Sequence, residues 1–368
     1  MTNRLGERAK AEETERYRKR FPAAAPGHFR QTLGATLGSV GMGTYLGNPD
    51  AETDEAYTRS VVEAVERGCN VIDSAANYRF QRSERSIGAG LRRLAAMGFT
   101  RDEICICTKG GYIPFDGDVP NEPRVYFTET FIKPEIATPQ DLVGGMHCMT
   151  PKYLAHQLDR IRQNLGVDTI DVYYIHNPEA QLEEVSRDDF YARVRPAFEC
   201  LERAASDGKI QWYGCATWNA FRSQPESRDH IELEKLVQIA RDIAGESHRF
   251  KVIQLPYNIA MTEALLAKTQ KLGASRVSTF EAAEELGMTV FTSVPIAQGR
   301  LIRRLPAEWH KYFSGLATDA QRAIQFVRSS PTVTAALVGM STREHVQENP
   351  DLSRRIQSSK SAPTISFC

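Results

Sequence analysis

The chain has 368 residues, with 46 Lys+Arg against 46 Asp+Glu, 41% hydrophobic residues and 25% charged ones. That length buries a sizeable core in one large domain or two ordinary ones. A formal net charge of +0 leaves no global basic field for nucleic acid or anionic lipid, and no run of about 18 apolar residues offers a membrane span.

Residues 1–28 read as a charged extension. The mixed charges from Arg8 to Lys19 predict a solvated helix, ended by Pro22 and Pro26. The stretch from Arg4 to Arg20 is crowded with charge where a signal peptide has its apolar core. Seven cysteines stand at 69, 105, 107, 148, 200, 215 and 368. The count is odd, and no gap matches a zinc-ligand pair or a redox CxxC. Free buried thiols, no metal site and a reducing, cytoplasmic location are therefore expected.

Residues 29–368 are predicted to form one domain. After a hairpin at 31–37, eight runs have strand character: 39–44, 69–73, 104–108, 171–176, 210–216, 251–255, 288–292 and 335–338. Several are continuously apolar, as strands covered on both faces should be. Helix signals lie between them. Thr53 or Asp54 is expected to cap a helix carrying Tyr57, Val61, Ala64 and Val65 on one face, stopped by Gly68. Thr150 and Pro151 open another with Leu154, Leu158, Ile161 and Leu165, stopped by Gly166. Phe190, Val194, Phe198 and Leu201 form a third stripe, and all three stripes read as core.

Eight strand–helix units over about 310 residues fit a closed α/β (β/α)8 TIM barrel, usually about 250 residues before insertions. The rival, an open doubly wound sheet, calls for a Gly-rich dinucleotide turn. GSVGMG at 38–43 has its glycines at the wrong spacing for GxGxxG, and a tight turn into the first strand explains it equally well. Residues 111–149, rich in proline and carrying Tyr112, Phe115, Tyr126, Phe127 and Phe131, are expected to form an ordered lid over the C-terminal mouth. Residues 294–315 are a second candidate cover.

Barrel chemistry sits at the C-terminal strand ends. There the second strand ends in Asp73, the third runs into Lys109 and the fourth ends in His176, with Tyr78 in the loop after the second. Singly, Asp73 reads as a cap, Lys109 as an exposed strand end and His176 as a core histidine. Their convergence on one rim points to proton transfer instead. A nearby ammonium is expected to lower the high pKa of a tyrosine, Asp73 to orient Lys109, and His176 to position a carbonyl. Such a set supplies a proton and no hydride, so redox chemistry needs a cofactor.

With these residues in place, the sequence resembles the aldo-keto reductase family through GMGTYLG (41–47), NVIDSAANYRFQRSERSIG (70–88), TKGG (108–111), DVYYIHNPE (171–179), VIQLPYN (252–258), PIAQGRL (295–301) and LVGMSTREHVQEN (337–349). The resemblance implies a barrel that reduces aldehydes or ketones, or oxidises alcohols, with NADP, NAD being possible. It implies a catalytic tetrad of Asp73, Tyr78, Lys109 and His176, with Tyr78 as proton donor. Gly43, Thr44, Tyr45 and Asp73 would flank the nicotinamide, and Gln254 would hold its carboxamide. Asn177, Thr217 and Ser293 complete that side. Pro295, Ile296, Gln298 and Gly299 would pass the pyrophosphate. Ser341, Thr342, His345, Glu348 and Asn349 would grip the adenosine half, and Arg343, or Arg303 with Arg304, would pair with a 2′-phosphate.

Two departures from the family pattern stand out. GCATWN puts Ala216 and Thr217 where the family often has Ser followed by Asn or Arg, and Ser293 replaces a stacking Tyr or Trp. A looser hold on the nicotinamide is expected unless Trp218 or a lid aromatic substitutes. Two other readings are an NADP-binding regulatory subunit resembling potassium-channel β-subunits, and a lyase with a Schiff base on Lys109. Asp73 and the adenosine motif argue against the lyase.

Overall fold

The computed structural model describes residues 5–355 apart from 7, 303, 304, 307 and 308. Its strands β1 (Val40–Gly43), β2 (Val71–Asp73), β3 (Cys105–Gly110), β4 (Ile170–His176), β5 (Ile210–Ala216), β6 (Phe250–Pro256), β7 (Thr289–Ser293) and β8 (Val333–Gly339) close into one barrel. Every neighbouring pair is parallel, and β8 closes the ring on β1 with Ala336 opposite Val40 and Gly339 opposite Gly43. The (β/α)8 expectation is borne out, with each strand followed by a helix on the outside.

The continuous apolar runs have a physical reason. In β4, Val172 and Tyr174 fill the barrel interior with Val71, Cys105, Cys107, Val252 and Phe291. Its alternate residues Tyr173 and Ile175 face the helix layer. Both faces are dry, so neither alternates with polar residues. Cys105 and Cys107 share the inner face, their sulfurs 3.9 Å apart, and the six described cysteines are free and buried. Cys368 lies outside the described residues.

The helix Ala51–Glu66 buries Tyr57, Val61, Ala64 and Val65 as predicted, but its cap is Asp50, whose carboxylate accepts from Thr53 N at 2.8 Å. Position 50 is the last extended residue, so only its side chain can reach the orphan N–H groups of the first turn. Pro151–Leu165 starts after Thr150 and ends on left-handed Gly166, as expected.

The floor of the barrel is plugged by an antiparallel hairpin, Phe29–Thr32 with Ala35–Gly38. Leu37 joins the interior cluster, and Trp212 Nε1 donates to Leu33 O at 3.2 Å. The helix predicted near the N-terminus spans Ala11–Lys19, yet it is not fully solvated. Tyr17 is completely buried and its hydroxyl donates to Val65 O at 2.5 Å. Just before it, Ala9 N donates at 2.6 Å to Asp171, which Arg101 neutralises at 2.6 Å. Charge on one face does not reveal a buried aromatic on the other. Among the described residues no helix is long and apolar enough to cross a membrane.

Candidate active site

The four rim residues meet. Lys109 Nζ lies 2.6 Å from Asp73 Oδ2, 2.8 Å from Ser74 O and 3.3 Å from Tyr78 Oη, so one ammonium spends its three donors on three oxygens. Gln254 Nε2 donates to the other Asp73 oxygen at 2.8 Å. The His176 ring stands edge-on to Tyr78, with centroids 5.9 Å apart. No group among the described residues hydrogen-bonds the His176 ring nitrogens.

Burial pushes the Asp73 carboxyl up and works to push the Lys109 ammonium down. For Lys109 the attraction of Asp73 and Tyr78 wins, and the ammonium is held charged. Burial also lifts the Tyr78 phenol above its ordinary value. Lys109 pulls it down as predicted, but by less than burial raises it. Burial, then Lys109 and His147, press His176 well below its usual value, so the imidazole is neutral.

Tyr78 is presented by an unusual turn. Arg79, Phe80 and Gln81 all adopt left-handed backbone, with φ of 50°, 56° and 69°. Each such residue costs roughly 1–2 kcal/mol. The turn is held by Arg79, which donates to Asn48 O at 2.8 Å and pairs with Asp54 at 2.5 Å. Gln81 is held by Phe115 O, Arg160 and Asn164. Asp54, expected as a helix cap, is instead the anchor for Arg79 and Arg82.

A cavity of about 620 Å³ opens over these residues. Gly43, Thr44, Tyr45, Asp73, Tyr78, His176, Asn177, Thr217, Gln254, Ser293, Pro295, Ile296, Gln298, Gly299, Ser341 and His345 all line it. Lys109 stands behind Tyr78 and Asp73, off the wall. Thr342, Glu348 and Asn349 are not on it either. Thr342 caps the helix Arg343–Glu348 by accepting from His345 N. Glu348 accepts from the Thr318 hydroxyl, and Asn349 is buried at the helix end. Arg343 is exposed at the start of that helix, while Arg303 and Arg304 lie outside the described residues. Asn77, Leu46 and Ile302 also line the cavity, though sequence reasoning missed them. For Asn77, adjacency to Tyr78 was the available signal.

The wall shows a fit for a dinucleotide. Thr217 Oγ1 is buried on it without a hydrogen-bond partner. In the segment 294–299, which supplies part of the wall, Val294, Ala297 and Gln298 have φ of 49°, 47° and 55°. Such conformations cost about 1–3 kcal/mol each and gather where a ligand is gripped. Trp218, 45% exposed, and Ser293 both line this cavity. Ser293→Tyr should tighten NADPH binding in a fluorescence titration, by supplying a stacking ring; unchanged or weaker binding would show that the position needs none.

The loop bearing Thr217 and Trp218 is fixed by buried Glu179, whose Oε1 accepts from Trp218 N at 2.6 Å and Asn219 N at 3.1 Å. Burial raises this carboxyl from 4.5 to about 7. Its stabilisation is full below its unfolded value and is lost as pH rises through about 7. Glu179→Gln keeps the acceptor and never ionises. Its melting temperature relative to wild type should rise by roughly 2 °C or more between about pH 5 and about pH 8. An equal gap at both pH values would contradict this.

In the segment 111–149, most aromatics pack on one another. Phe131 forms a small core with Ala137, Cys148 and Tyr153, backed by Tyr126 and Phe127. Only Tyr112 reaches the cavity wall, its ring edge-on to His176 at 5.2 Å.

A model of the Aldo/keto reductase family matches residues 39–362. The chain is 25% identical to an NADH-specific methylglyoxal reductase of Escherichia coli (strain K12), over 51% of each chain. It is 23% identical to a putative voltage-gated potassium channel subunit beta of Schizosaccharomyces pombe, over 89% of this chain and 88% of that one. The chain spans about half the length or less of three curated relatives that it matches, the methylglyoxal reductase among them. Among solved structures, an aldo/keto reductase from Klebsiella pneumoniae in complex with NADP and acetate superposes with a TM-score of 0.58 at 17% identity, covering 89% of both chains.

Proposed function

Because the chain belongs to the Aldo/keto reductase family, we propose that it reduces an aldehyde or ketone to the alcohol, or runs the reverse, with Tyr78 as proton donor. The observation that carries this reading is Lys109 Nζ bridging Asp73 and Tyr78 Oη beneath a cavity large enough for a dinucleotide. NADP is the proposed cofactor, with NAD as the alternative that the methylglyoxal reductase uses.

Thr217, Gln254 and Asn177 would hold the nicotinamide end, Pro295–Gly299 the pyrophosphate, and Ser341 and His345 the adenosine end, with exposed Arg343 available to a 2′-phosphate. A bound nicotinamide would supply the hydride to the carbonyl carbon. Tyr78 releases its phenolic proton to the carbonyl oxygen as negative charge grows there. Lys109 stays charged and stabilises the phenolate left behind, and Asp73 keeps Lys109 charged in a dry site. Neutral His176 offers a ring N–H to the same oxygen, which orients it without competing as an acid. Tyr45, Tyr112 and Trp218 form an apolar rim that keeps water from the reacting atoms.

The lyase reading fails on geometry: Lys109 is 1% exposed, off the cavity wall, and committed to three oxygens. The second reading, a nucleotide-binding regulatory subunit, is favoured by the coverage of the potassium-channel relative. A screen of NADPH and NADH consumption against aldehydes, ketones and sugar lactols separates the two. Carbonyl-dependent consumption supports the reductase, and tight dinucleotide binding with no consumption supports the subunit.

A further inference from the structure

His147 lies in the segment 111–149, is buried, and takes no part in the proposed proton transfer. Its Nε2 faces His176 O at 2.8 Å and must donate there, because a carbonyl only accepts. Nδ1 is then the acceptor, and Gln181 Nε2 supplies it at 2.9 Å. Gln181 Oε1 accepts in turn from Arg193 at 2.6 Å. This chain of donors and acceptors is complete and leaves the ring one tautomer. The His147 ring also packs edge-on against Tyr112, with centroids 5.0 Å apart, and Tyr112 stands against His176 on its other side.

The backbone makes room for this link. Gly111 has φ +134°, and a Cβ there would sit 2.9 Å from His147 Nε2 and 3.3 Å from His176 O. Next to it, Tyr112 O accepts from Tyr153 Oη at 2.7 Å and Gln157 Nε2 at 2.9 Å, and Ile113 N donates to Met146 O at 2.8 Å. Tyr112 Oη accepts from Asn177 Nδ2 at 3.3 Å. Tyr112 is thus fixed at its main chain, its ring and its hydroxyl, on the cavity wall beside His176.

We propose that His147 is a positioning residue that ties the segment 111–149 to the end of β4 and thereby holds Tyr112 as the wall that selects the carbonyl substrate. This rests on the reductase reading. A large ring-bearing carbonyl must lean on Tyr112, whereas a small one reaches Tyr78 without touching it. His147→Leu removes both hydrogen bonds. His147→Gln retains an amide donor that reaches His176 O.

The test is a double-mutant cycle between His147→Leu and Tyr112→Ala, with kcat and KM measured for an aromatic aldehyde and for propanal. His147→Leu should raise KM for the aromatic aldehyde about tenfold or more, and that for propanal less than about threefold. Tyr112→Ala should do the same, and the double variant should be no worse than either single one. His147→Gln should recover most of the loss, with NADPH affinity unchanged in both His147 variants. A merely structural His147 would raise both KM values alike, add to Tyr112→Ala and resist rescue, and any of these results overturns the proposal. Amide hydrogen exchange reads the tether without turnover. In His147→Gln and His147→Leu it should quicken at 112–113 and 146–148, more in the latter, and unchanged exchange overturns the tether. A wild type that consumes no dinucleotide with any carbonyl counts against the reductase reading, and exchange still judges His147.

Discussion

Tyr78→Phe should lower carbonyl turnover by about 10²–10⁴-fold, the usual worth of a positioned general acid, while NADPH affinity stays within about twofold. The substitution is conservative for the fold. It keeps the ring contacts to Tyr45 at 4.9 Å and His176 at 5.9 Å and removes one hydrogen bond, from Lys109 at 3.3 Å. Lys109 retains Asp73 and Ser74 O, so no charge is stranded. A loss of that size corresponds to about 3–5 kcal/mol of barrier at 1.36 kcal/mol per decade. His176 is a poor substitute donor, because its neutral ring resists giving up a proton. Steady-state rates with the best carbonyl from the screen measure the effect. Turnover retained within about tenfold would remove Tyr78 from its role.

Lys109→Met should destabilise the protein by about 3–5 kcal/mol, because it leaves the Asp73 carboxylate buried without its counter-ion. Asp73 is 4% exposed, and only Gln254 would still hydrogen-bond its side chain. Gln254 offers a neutral amide donor, which cannot replace an ammonium at 2.6 Å. The variant with both Lys109→Met and Asp73→Leu should recover much of this stability, since two apolar groups in place of a buried pair are often neutral or better. It should not recover activity, because nothing would then stabilise a Tyr78 phenolate. Denaturant unfolding of the three proteins decides the matter. A single variant within about 1 kcal/mol of wild type would mean that the pair is solvated and that Lys109 is not held by Asp73.

The barrel was legible because its signal is local and repeated. Runs such as Val172–Ile175 are apolar at every position, which only a strand covered on both faces requires. The rim was legible for a related reason: an Asp, a Lys and a His each end such a run, and polar groups there need a purpose. Tyr78 was legible as a loop residue five past Asp73, but nothing in its flanking residues announces three left-handed residues in a row.

What escaped the sequence depends on distant partners. Tyr17 gives no sign that Val65 awaits its hydroxyl, and Glu348 looks like a ligand until Thr318 meets it. The aromatics of 111–149 were visible as a group, but which one faces the cavity depends on how that segment closes on itself. Tyr112 is singled out by its position next to β3, and His147 by a link across to β4 that no spacing encodes.

The central claim is that the cavity over Tyr78 is where a carbonyl and a dinucleotide react. It is tested most directly by mass balance: NADPH consumed against alcohol formed, followed by mass spectrometry with the wild-type protein and a carbonyl substrate. The account predicts one alcohol for each NADPH consumed, and no product from Tyr78→Phe beyond its residual rate. Dinucleotide bound tightly with no alcohol formed from any carbonyl tested would contradict it.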